Sequence, residues 1–208
     1  MNTTVYVDGF NFYYGALKGT AHKWLDLNKL CRLLLPRNTI TKIKYFTAIV
    51  SARPYDLDKP IRQYAYLRAL RTLPNVEIIL GSFLTHNVTM LVAGGPASSP
   101  RFVTVVRTEE KGSDVNIAAH MINDGYKNEY DIAALITNDS DLAEPVRLVR
   151  VDLKKPVGII NPHNRHPSRS IVQYASFVKQ VREGALAASQ FPDQLRDAKG
   201  TFHKPAGW

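Results

Sequence analysis

The segment TTVYVDGFN, residues 3–11, decides the fold class of this chain. Its first five residues are short, rich in β-branched and aromatic side chains, and largely apolar, which predicts a buried strand. The strand runs directly into Asp8-Gly9, which is a turn signal. The carboxylate of Asp8 is therefore expected at the carboxyl end of a strand inside a sheet.

Strands and helices alternate along the rest of the chain. Apolar runs predict strands over residues 43–50, 76–80, 131–137 and 156–160. Helical periodicity, caps and stops predict helices over residues 25–35, 57–73, 114–125, 142–151 and 176–190. In the second of these helices, Ile61, Tyr64 and Leu67 mark the apolar face. Repeated strand-then-helix order implies parallel strands with right-handed crossovers, which is an α/β fold.

Residues 83–92 and 101–107 flank the turn cluster Gly94-Gly95-Pro96, and this pattern predicts an antiparallel hairpin added to the sheet. After Phe191 the apolar periodicity lapses. We therefore predict one domain over residues 1–190 and a tail over residues 191–208 that is extended or partly disordered.

The 208 residues are 45% apolar and 22% charged, which is enough to form one sizeable core and excludes global disorder. The formal net charge of +9 attracts polyanions such as nucleic acid, although solubility alone also explains it. The chain has no apolar run that could cross a bilayer and no signal-peptide pattern, so we expect a cytoplasmic protein without a membrane partner. Its single cysteine, Cys31, disfavours a zinc site.

Aspartates collect at the predicted edge of the sheet. Asp8, Asp139 and Asp141 follow strands, and Asp114 begins a helix. Ligands of open α/β sheets bind at this carboxyl edge. Each aspartate alone also fits a turn or a helix cap. Four carboxylates brought together would repel one another unless a cation neutralised them, and oxygen donors of this kind suit Mg²⁺ or Mn²⁺. We expect Asn11, Asn138 and Ser140 to play supporting roles there.

Three motifs resemble the NYN domain, a branch of the PIN-like nucleases. They are VYVDGFNF at residues 5–12, KGSDVN at residues 111–116 and ITNDSDL at residues 136–142, in the expected order and spacing. The resemblance implies a three-layer α/β/α sandwich around a mainly parallel sheet, an Mg²⁺ or Mn²⁺ site and, in many members, ribonuclease activity. It assigns the acidic catalytic and metal-binding positions to Asp8, Asp114, Asp139 and Asp141. Asn138 departs from the glycine that many relatives have there, which leaves the substrate open.

Several side chains beside the expected edge are candidates for binding RNA, the partner that this resemblance implies. Lys111, Arg53, Lys18 and Lys23 are the candidate phosphate contacts. The aromatic residues 10 and 12–14 fit either the core or base stacking, and residues 163–166 fit either a polar loop or a phosphate contact.

Other functions remain compatible with the sequence. One is a non-catalytic RNA-binding or regulatory module, and another is a metal-dependent phosphatase. Dinucleotide oxidoreductases and P-loop NTPases are poorly supported, because the loop after the first strand lacks their glycine-rich signatures. The sequence leaves the RNA target, the number of metal ions and the formation of homo-oligomers open.

Overall fold

A six-stranded parallel sheet forms the centre of the computed structural model, which describes residues 1–93 and 101–208. In the described residues the strands are β1 (Asn2–Asp8), β2 (Thr39–Thr47), β3 (Val76–Leu80), β4 (Ser82–Leu91), β5 (Phe102–Lys111), β6 (Ile132–Ile136), β7 (Val157–Asn161), β8 (Phe177–Gln180), β9 (Gln194–Asp197) and β10 (Gly200–His203). The central sheet has the order β3-β2-β1-β6-β7-β8, and each neighbouring pair is parallel.

Helices cover both faces of this sheet, so the fold is a three-layer α/β/α sandwich. They are α1 (Gly9–Phe12), α2 (Leu27–Leu34), α3 (Lys59–Leu70), α4 (Ser113–Tyr126), α5 (Ala143–Arg147), α6 (Arg169–Val172) and α7 (Glu183–Ala188). A π-helical turn, Tyr13–Leu17, continues α1. Among the described residues, no helix has both the length and the apolar character needed to cross a membrane.

The side chains of β1 show how the two cores are divided. Val5 and Val7 pack in one core with residues of α2 and α3, whereas Tyr6 packs in the other with residues of α4 and α5. All three are fully buried. Successive side chains of a strand point to opposite faces of the sheet, so a continuous apolar run is what a strand covered on both sides requires.

The order of the strands reverses beside β1. The chain places β2 and β3 on one side of β1, and β6, β7 and β8 on the other. In open α/β sheets the loops diverge at such a reversal and leave a crevice outside the carboxyl ends of the strands. Asp8, at the end of β1, and Asp139, three residues after β6, border this crevice.

The predicted hairpin forms, but its expected place in the central sheet is wrong. β4 and β5 pair antiparallel from Ser82↔Lys111 to Leu91↔Phe102 and make a two-stranded sheet of their own. Gly81 ends the parallel part, where its N–H donates to the carbonyl of Thr47, and the chain then leaves the sheet. The predicted turn at residues 94–96 lies outside the described residues.

The predicted helix over residues 176–190 is wrong in its first half, where the chain forms β8. The Phe177 ring lies over Gly158 of β7, and a Cβ on Gly158 would stand 2.0 Å from that ring. Strand pairing with β7 covers this aromatic side chain and overrides the helical pattern. Only Glu183–Ala188, which forms α7, is helical as predicted.

The helix predicted over residues 57–73 is confirmed as α3, but its buried face differs from the expected one. Ile61 and Tyr64 are exposed, whereas Tyr66, Leu67 and Leu70 are buried. The sheet covers only a narrow stripe of α3, and Ile61 and Tyr64 lie outside it.

Residues 191–208 form the short antiparallel hairpin β9–β10 and its flanks. Phe191 and Phe202 join the core on the α2–α3 side. The guanidinium of Arg68 stacks 4.1 Å over the Phe202 ring and makes two hydrogen bonds of 2.7 Å to Asp197. An aromatic pair and one arginine thus fix a segment whose sequence shows little periodicity.

Candidate functional site

Three carboxylates from separate parts of the chain meet at the crevice. Asp8, Asp114 and Asp139 each offer an oxygen, and these three atoms lie within 4.8 Å of one another. Hard oxygen donors at this separation form the kind of set that divalent cations such as Mg²⁺ and Mn²⁺ prefer. The donor set therefore fits the metal that the sequence predicts.

Asp8 is held in place from two sides. Its Oδ1 accepts a hydrogen bond of 3.0 Å from the backbone N–H of Asn11, and its Oδ2 accepts one of 3.0 Å from the hydroxyl of Thr137. Gly9 follows because no side chain fits there: a Cβ would stand 2.5 Å from the carbonyl oxygen of Phe46. The sequence Asp-Gly thus lets the chain turn into α1 directly against β2.

Helix ends present the other two carboxylates. Asp114 lies in the first turn of α4, which begins after Gly112 in the left-handed conformation with φ 97°. Asp139 accepts a hydrogen bond of 3.0 Å from the backbone N–H of Asp141 and caps a 3₁₀ turn, Ser140–Leu142. The capping role suggested for Asp139 and its place in the acidic cluster are therefore compatible.

The cluster is electrostatically strained. Burial, followed by the charges of Asp114 and Asp139, raises the pKa of Asp8 to about 6, against the lowering effect of its two hydrogen bonds. Burial and the charge of Asp139 also raise the pKa of Asp114. No ion pair among residues 1–93 and 101–208 involves any of the three. In a chain with a net charge of +9, this acidic cluster therefore lacks a described cationic partner.

Asp141 is the predicted acidic residue that the three-carboxylate group does not include. It is exposed, one turn beyond Asp139, and its charge contributes to the raised pKa of Asp114. It therefore lies at the rim of the cluster. Ser140, the supporting residue predicted between these two aspartates, is exposed.

Asn11 and Asn138 connect the loops around the cluster. Oδ1 of Asn11 accepts from the backbone N–H of Asn138 at 3.0 Å and lies 3.0 Å from Nε2 of His163. Oδ1 of Asn138 accepts from the N–H of Ser168 at 2.6 Å. The hydrogen bond from Asn138 identifies the side-chain oxygen of Asn11 as the atom that also faces His163. Because this oxygen can only accept a hydrogen bond, the neutral imidazole of His163 carries its proton on Nε2. Burial and nearby Arg165 lower the pKa of His163, which favours this neutral form.

The four predicted basic contacts are distributed unequally. Arg53 lines the cavity that contains the acidic cluster, whereas Lys23 lines a neighbouring cavity with aromatic walls. Lys18 lies over the ring of Tyr14, with Nζ 5.0 Å from the centroid. Lys111 pairs with Glu109 at 2.8 Å and does not line either cavity.

The acidic cavity, as we call the space around Asp8, Asp114 and Asp139, has a volume of about 630 Å³. The hairpin forms one wall through alternate side chains, Phe83 and Thr85 of β4 and Val106, Thr108 and Glu110 of β5. The Phe83 ring packs edge-on against Phe10 at 5.5 Å. The inserted hairpin is therefore part of the site.

Sequence reasoning missed three polar residues at the site. Thr137 binds Asp8, Glu110 accepts from the N–H and hydroxyl of Ser113 at the start of α4, and Lys59 lines the acidic cavity. Thr137 had a usable signal, because it is a hydroxyl residue at the end of an apolar strand, next to Asn138-Asp139. Glu110 and Lys59 carried no such signal, since their positions depend on the hairpin and on the start of α3.

Comparisons with known proteins agree with this architecture. The model of the NYN domain matches residues 2–179. The chain is 31% identical, over an alignment of 236 positions, to the 6-hydroxy-3-succinoylpyridine 3-monooxygenase HspA of Pseudomonas putida (strain DSM 28022 / S16), covering 100% of this chain and 75% of that protein. A crystal structure of a protein of unknown function, VPA0982 from Vibrio parahaemolyticus RIMD 2210633, superposes with a TM-score of 0.57 at 17% identity. That match covers 91% of this chain and 96% of the other.

Proposed function

Since the chain belongs to the NYN domain family, we propose that it is a metal-dependent ribonuclease that hydrolyses phosphodiester bonds in RNA. One observation carries the proposal. Three carboxylates meet at the strand-order reversal of a strongly basic chain, and no ion pair of the described residues neutralises them. Such a group is costly without a cation, so its presence supports a metal site.

Asp8, Asp114 and Asp139 would hold the metal. When bound, a divalent cation supplies Lewis-acid stabilisation of phosphoryl oxygens and lowers the pKa of water. The hydrogen bonds from Asn11 and Thr137 favour the charged form of Asp8, which is the form that a cation requires. Asp141 stands at the rim and adds negative charge to the same field.

Other side chains of the cavity suit a phosphate chain. Arg53 and Lys59 line the acidic cavity and bring positive charge beside the carboxylates. His163 lines the same cavity, and its imidazole is held by Oδ1 of Asn11. The cavity has the hairpin as one wall and adjoins a second cavity, so a chain that continues past the carboxylates can be accommodated.

Cleavage of RNA tests this proposal. Labelled single-stranded and structured RNAs are incubated with Mn²⁺, Mg²⁺ or chelator, and wild type is compared with Asp139→Asn. Asp193→Asn is the matched control, because Asp193 is exposed and does not line the cavity. We expect cleavage only with metal, and its loss in Asp139→Asn alone. RNA binding without cleavage would favour a regulatory module, and hydrolysis of a simple phosphomonoester in place of RNA would favour a phosphatase.

A second candidate comes from the relative that is named a monooxygenase. Its similarity extends over the whole of this chain, and the neighbouring cavity has aromatic walls that suit a planar ring. Incubation with 6-hydroxy-3-succinoylpyridine, oxygen and a two-electron reductant tests it directly, since a monooxygenase reduces the second oxygen atom to water. Protein-dependent consumption of this compound, with a product that carries one oxygen atom from O₂, would favour this candidate over RNA hydrolysis.

A further inference from the structure

A second cavity, which we call the aromatic cavity, adjoins the acidic cavity. Its volume is about 470 Å³, within the range of roughly 300–1,000 Å³ that is usual for sites of small ligands. Six aromatic side chains line it: Phe10, Tyr13, Tyr14, Tyr45, Tyr66 and Trp208. No residue predicted for catalysis or metal binding lines it, so it is distinct from the metal site.

The rings of this cavity form a preorganised wall. Tyr13 and Tyr14 meet edge-on at 5.4 Å, and Tyr45 meets Tyr66 edge-on at 6.2 Å. Trp208 lies against Tyr66 at 6.0 Å. Tyr66 and Tyr45 are buried, whereas Tyr14 is 54% exposed and offers its ring to a ligand. Stacking on such rings accepts any nucleic-acid base, because every base has a π-face.

The charges of the cavity favour an anionic ligand. Lys23 and Lys59 both line it, and neither is in an ion pair in the part of the chain that the structure describes. The third cation, Arg62, is bound by both carboxylate oxygens of Asp56 at 2.6 and 2.7 Å. Two lysines without a described acidic partner therefore lie beside the aromatic rings, where they can bind phosphate.

The two cavities share a boundary. Phe10, Tyr14, Val50 and Lys59 line both of them. A ligand with a ring in the aromatic cavity can thus reach the carboxylates past Lys59 and Tyr14. A nucleotide has this chemistry, since a planar base is joined to an anionic backbone that continues on both sides.

We propose that the aromatic cavity binds one base of a single-stranded RNA, with the adjoining phosphate at Lys59 and the next one in the acidic cavity. This inference rests on the proposed function and adds the substrate class to it. An unpaired strand is favoured, because a base inside a duplex can enter a walled cavity only at the cost of unstacking and unpairing it. The cavity thereby sets which phosphate reaches the carboxylates.

Binding in chelator tests the inference without any cleavage. The probes are a fluorescein-labelled single-stranded oligoadenylate, its abasic counterpart and the same sequence as a duplex, all followed by anisotropy. We expect Tyr14→Ala to weaken binding of the oligoadenylate roughly 5- to 100-fold. Tyr126→Ala is the matched control, because Tyr126 is 78% exposed and lines neither cavity. The abasic strand and the duplex should bind as weakly to wild type as to Tyr14→Ala.

Lys59→Ala should reduce the slope of affinity against salt by roughly 0.7, the value for one phosphate of a single strand. Lys127→Ala, at the far end of α4, is its control and should leave the slope unchanged. Trp208 supplies a second readout, since stacking should quench its fluorescence while fully buried Trp24 does not respond. Trp208→Phe should abolish the quench.

Equal affinities of Tyr14→Ala and Tyr126→Ala would overturn the inference, as would equal binding of the abasic strand. Displacement of the oligoadenylate by a hydroxypyridine carboxylate at lower concentration than by adenosine monophosphate would also overturn it, in favour of a small aromatic acid. Failure of the proposed function can be distinguished from failure of this inference. Base-dependent binding without metal-dependent cleavage would contradict the ribonuclease proposal but not the base-binding site. RNA cleavage that is unaffected by Tyr14→Ala would contradict the base-binding site but not the ribonuclease proposal.

Discussion

The hydroxyl of Thr137 lies 3.0 Å from Oδ2 of Asp8 and joins the ends of β1 and β6 at the strand-order reversal. The same hydroxyl accepts a hydrogen bond of 3.1 Å from the backbone N–H of Asp139. One side chain therefore sets the relative positions of two of the three carboxylates. It acts as donor to one aspartate and as acceptor for the other.

Thr137→Val removes both hydrogen bonds with little change of shape. We expect the free energy of unfolding to fall by about 1–3 kcal/mol, because the partly buried N–H of Asp139 loses its partner and the buried carboxylate of Asp8 keeps only the hydrogen bond from Asn11. The pKa of Asp8 should rise further, since the hydroxyl lowers it, so half-saturation with Mn²⁺ should need a higher pH. Urea unfolding and metal titrations measure the two effects. Thr4→Val is the control, because the Thr4 side chain is buried and lies away from the carboxylates, at the start of β1; an equal result for both variants would contradict the role of Thr137.

Metal should stabilise the protein more at neutral than at acidic pH. The ligands must be deprotonated to bind, and the pKa of Asp8 is about 6 in the metal-free protein. At 100 times the dissociation constant, Mn²⁺ should add about 2.7 kcal/mol at pH 7.5, and clearly less at pH 5. Thermal melts with Mn²⁺ and with chelator measure this. A rise in melting temperature with Mn²⁺ that persists in Asp139→Asn, or one that is larger at pH 5 than at pH 7.5, would argue against metal binding by the carboxylates.

Asp8→Asn should stabilise the metal-free protein at neutral pH. The pKa of Asp8 is raised from 3.8 to about 6 on folding, so its contribution to stability is fully present below about pH 4 and is lost as pH rises through 6. Above that pH the charged group costs on the order of 3 kcal/mol, which an amide avoids. Urea midpoints in chelator at pH 4.5, 6 and 7.5 should diverge from wild type as pH rises. If the difference in urea midpoint between Asp8→Asn and wild type were the same at all three pH values, the prediction would be wrong. It would also be wrong if Asp193→Asn showed the same dependence on pH.

Lys44→Met should destabilise the fold without affecting the metal site. Nζ of Lys44 lies 2.6 Å from Oδ2 of Asp124, and both side chains are about 5% exposed or less. Loss of the lysine leaves a buried charge without its counterion, which typically costs about 3–5 kcal/mol. Urea unfolding measures the loss, and Asp124→Leu added to Lys44→Met should recover much of it.

The control for Lys44→Met is Lys42→Met in the same strand. Lys42 pairs with Glu129 at 3.2 Å, and both side chains are more than 40% exposed. Exposed pairs are worth about 0–1 kcal/mol. Similar losses for Lys42→Met and Lys44→Met would show that burial does not determine the cost of breaking the pair.

Continuous apolar runs are the part of the sequence that predicts structure most reliably. β1 and β6 are such runs, and the ends of these two strands fix the positions of Asp8 and Asp139. β8 was missed because Phe177 is covered by an approach to Gly158 that no local pattern shows. Residues 191–208 pack through Arg68, which lies more than a hundred residues earlier. Local periodicity carries no information about such distant partners.

His163 illustrates the same limit within the site. Its loop fits either a polar surface or a phosphate contact in the sequence, and only the contact with Asn11, 152 positions earlier, brings it to the carboxylates. Lys59 reaches both cavities because α3 starts there. The positions of such residues depend on the path of a loop or on where a helix begins. No sequence motif marks them, whereas the aspartates are marked by the ends of apolar strands.

The hairpin β4–β5 makes one wall of the acidic cavity separable from the three carboxylates. Within the described residues β4 and β5 pair only with each other. The hairpin begins at Ser82, after Gly81, and ends at Lys111, before Gly112. Adding or deleting a pair of facing residues therefore leaves the register of the parallel sheet untouched. The length and lining of this arm can therefore change while the three carboxylates keep their positions.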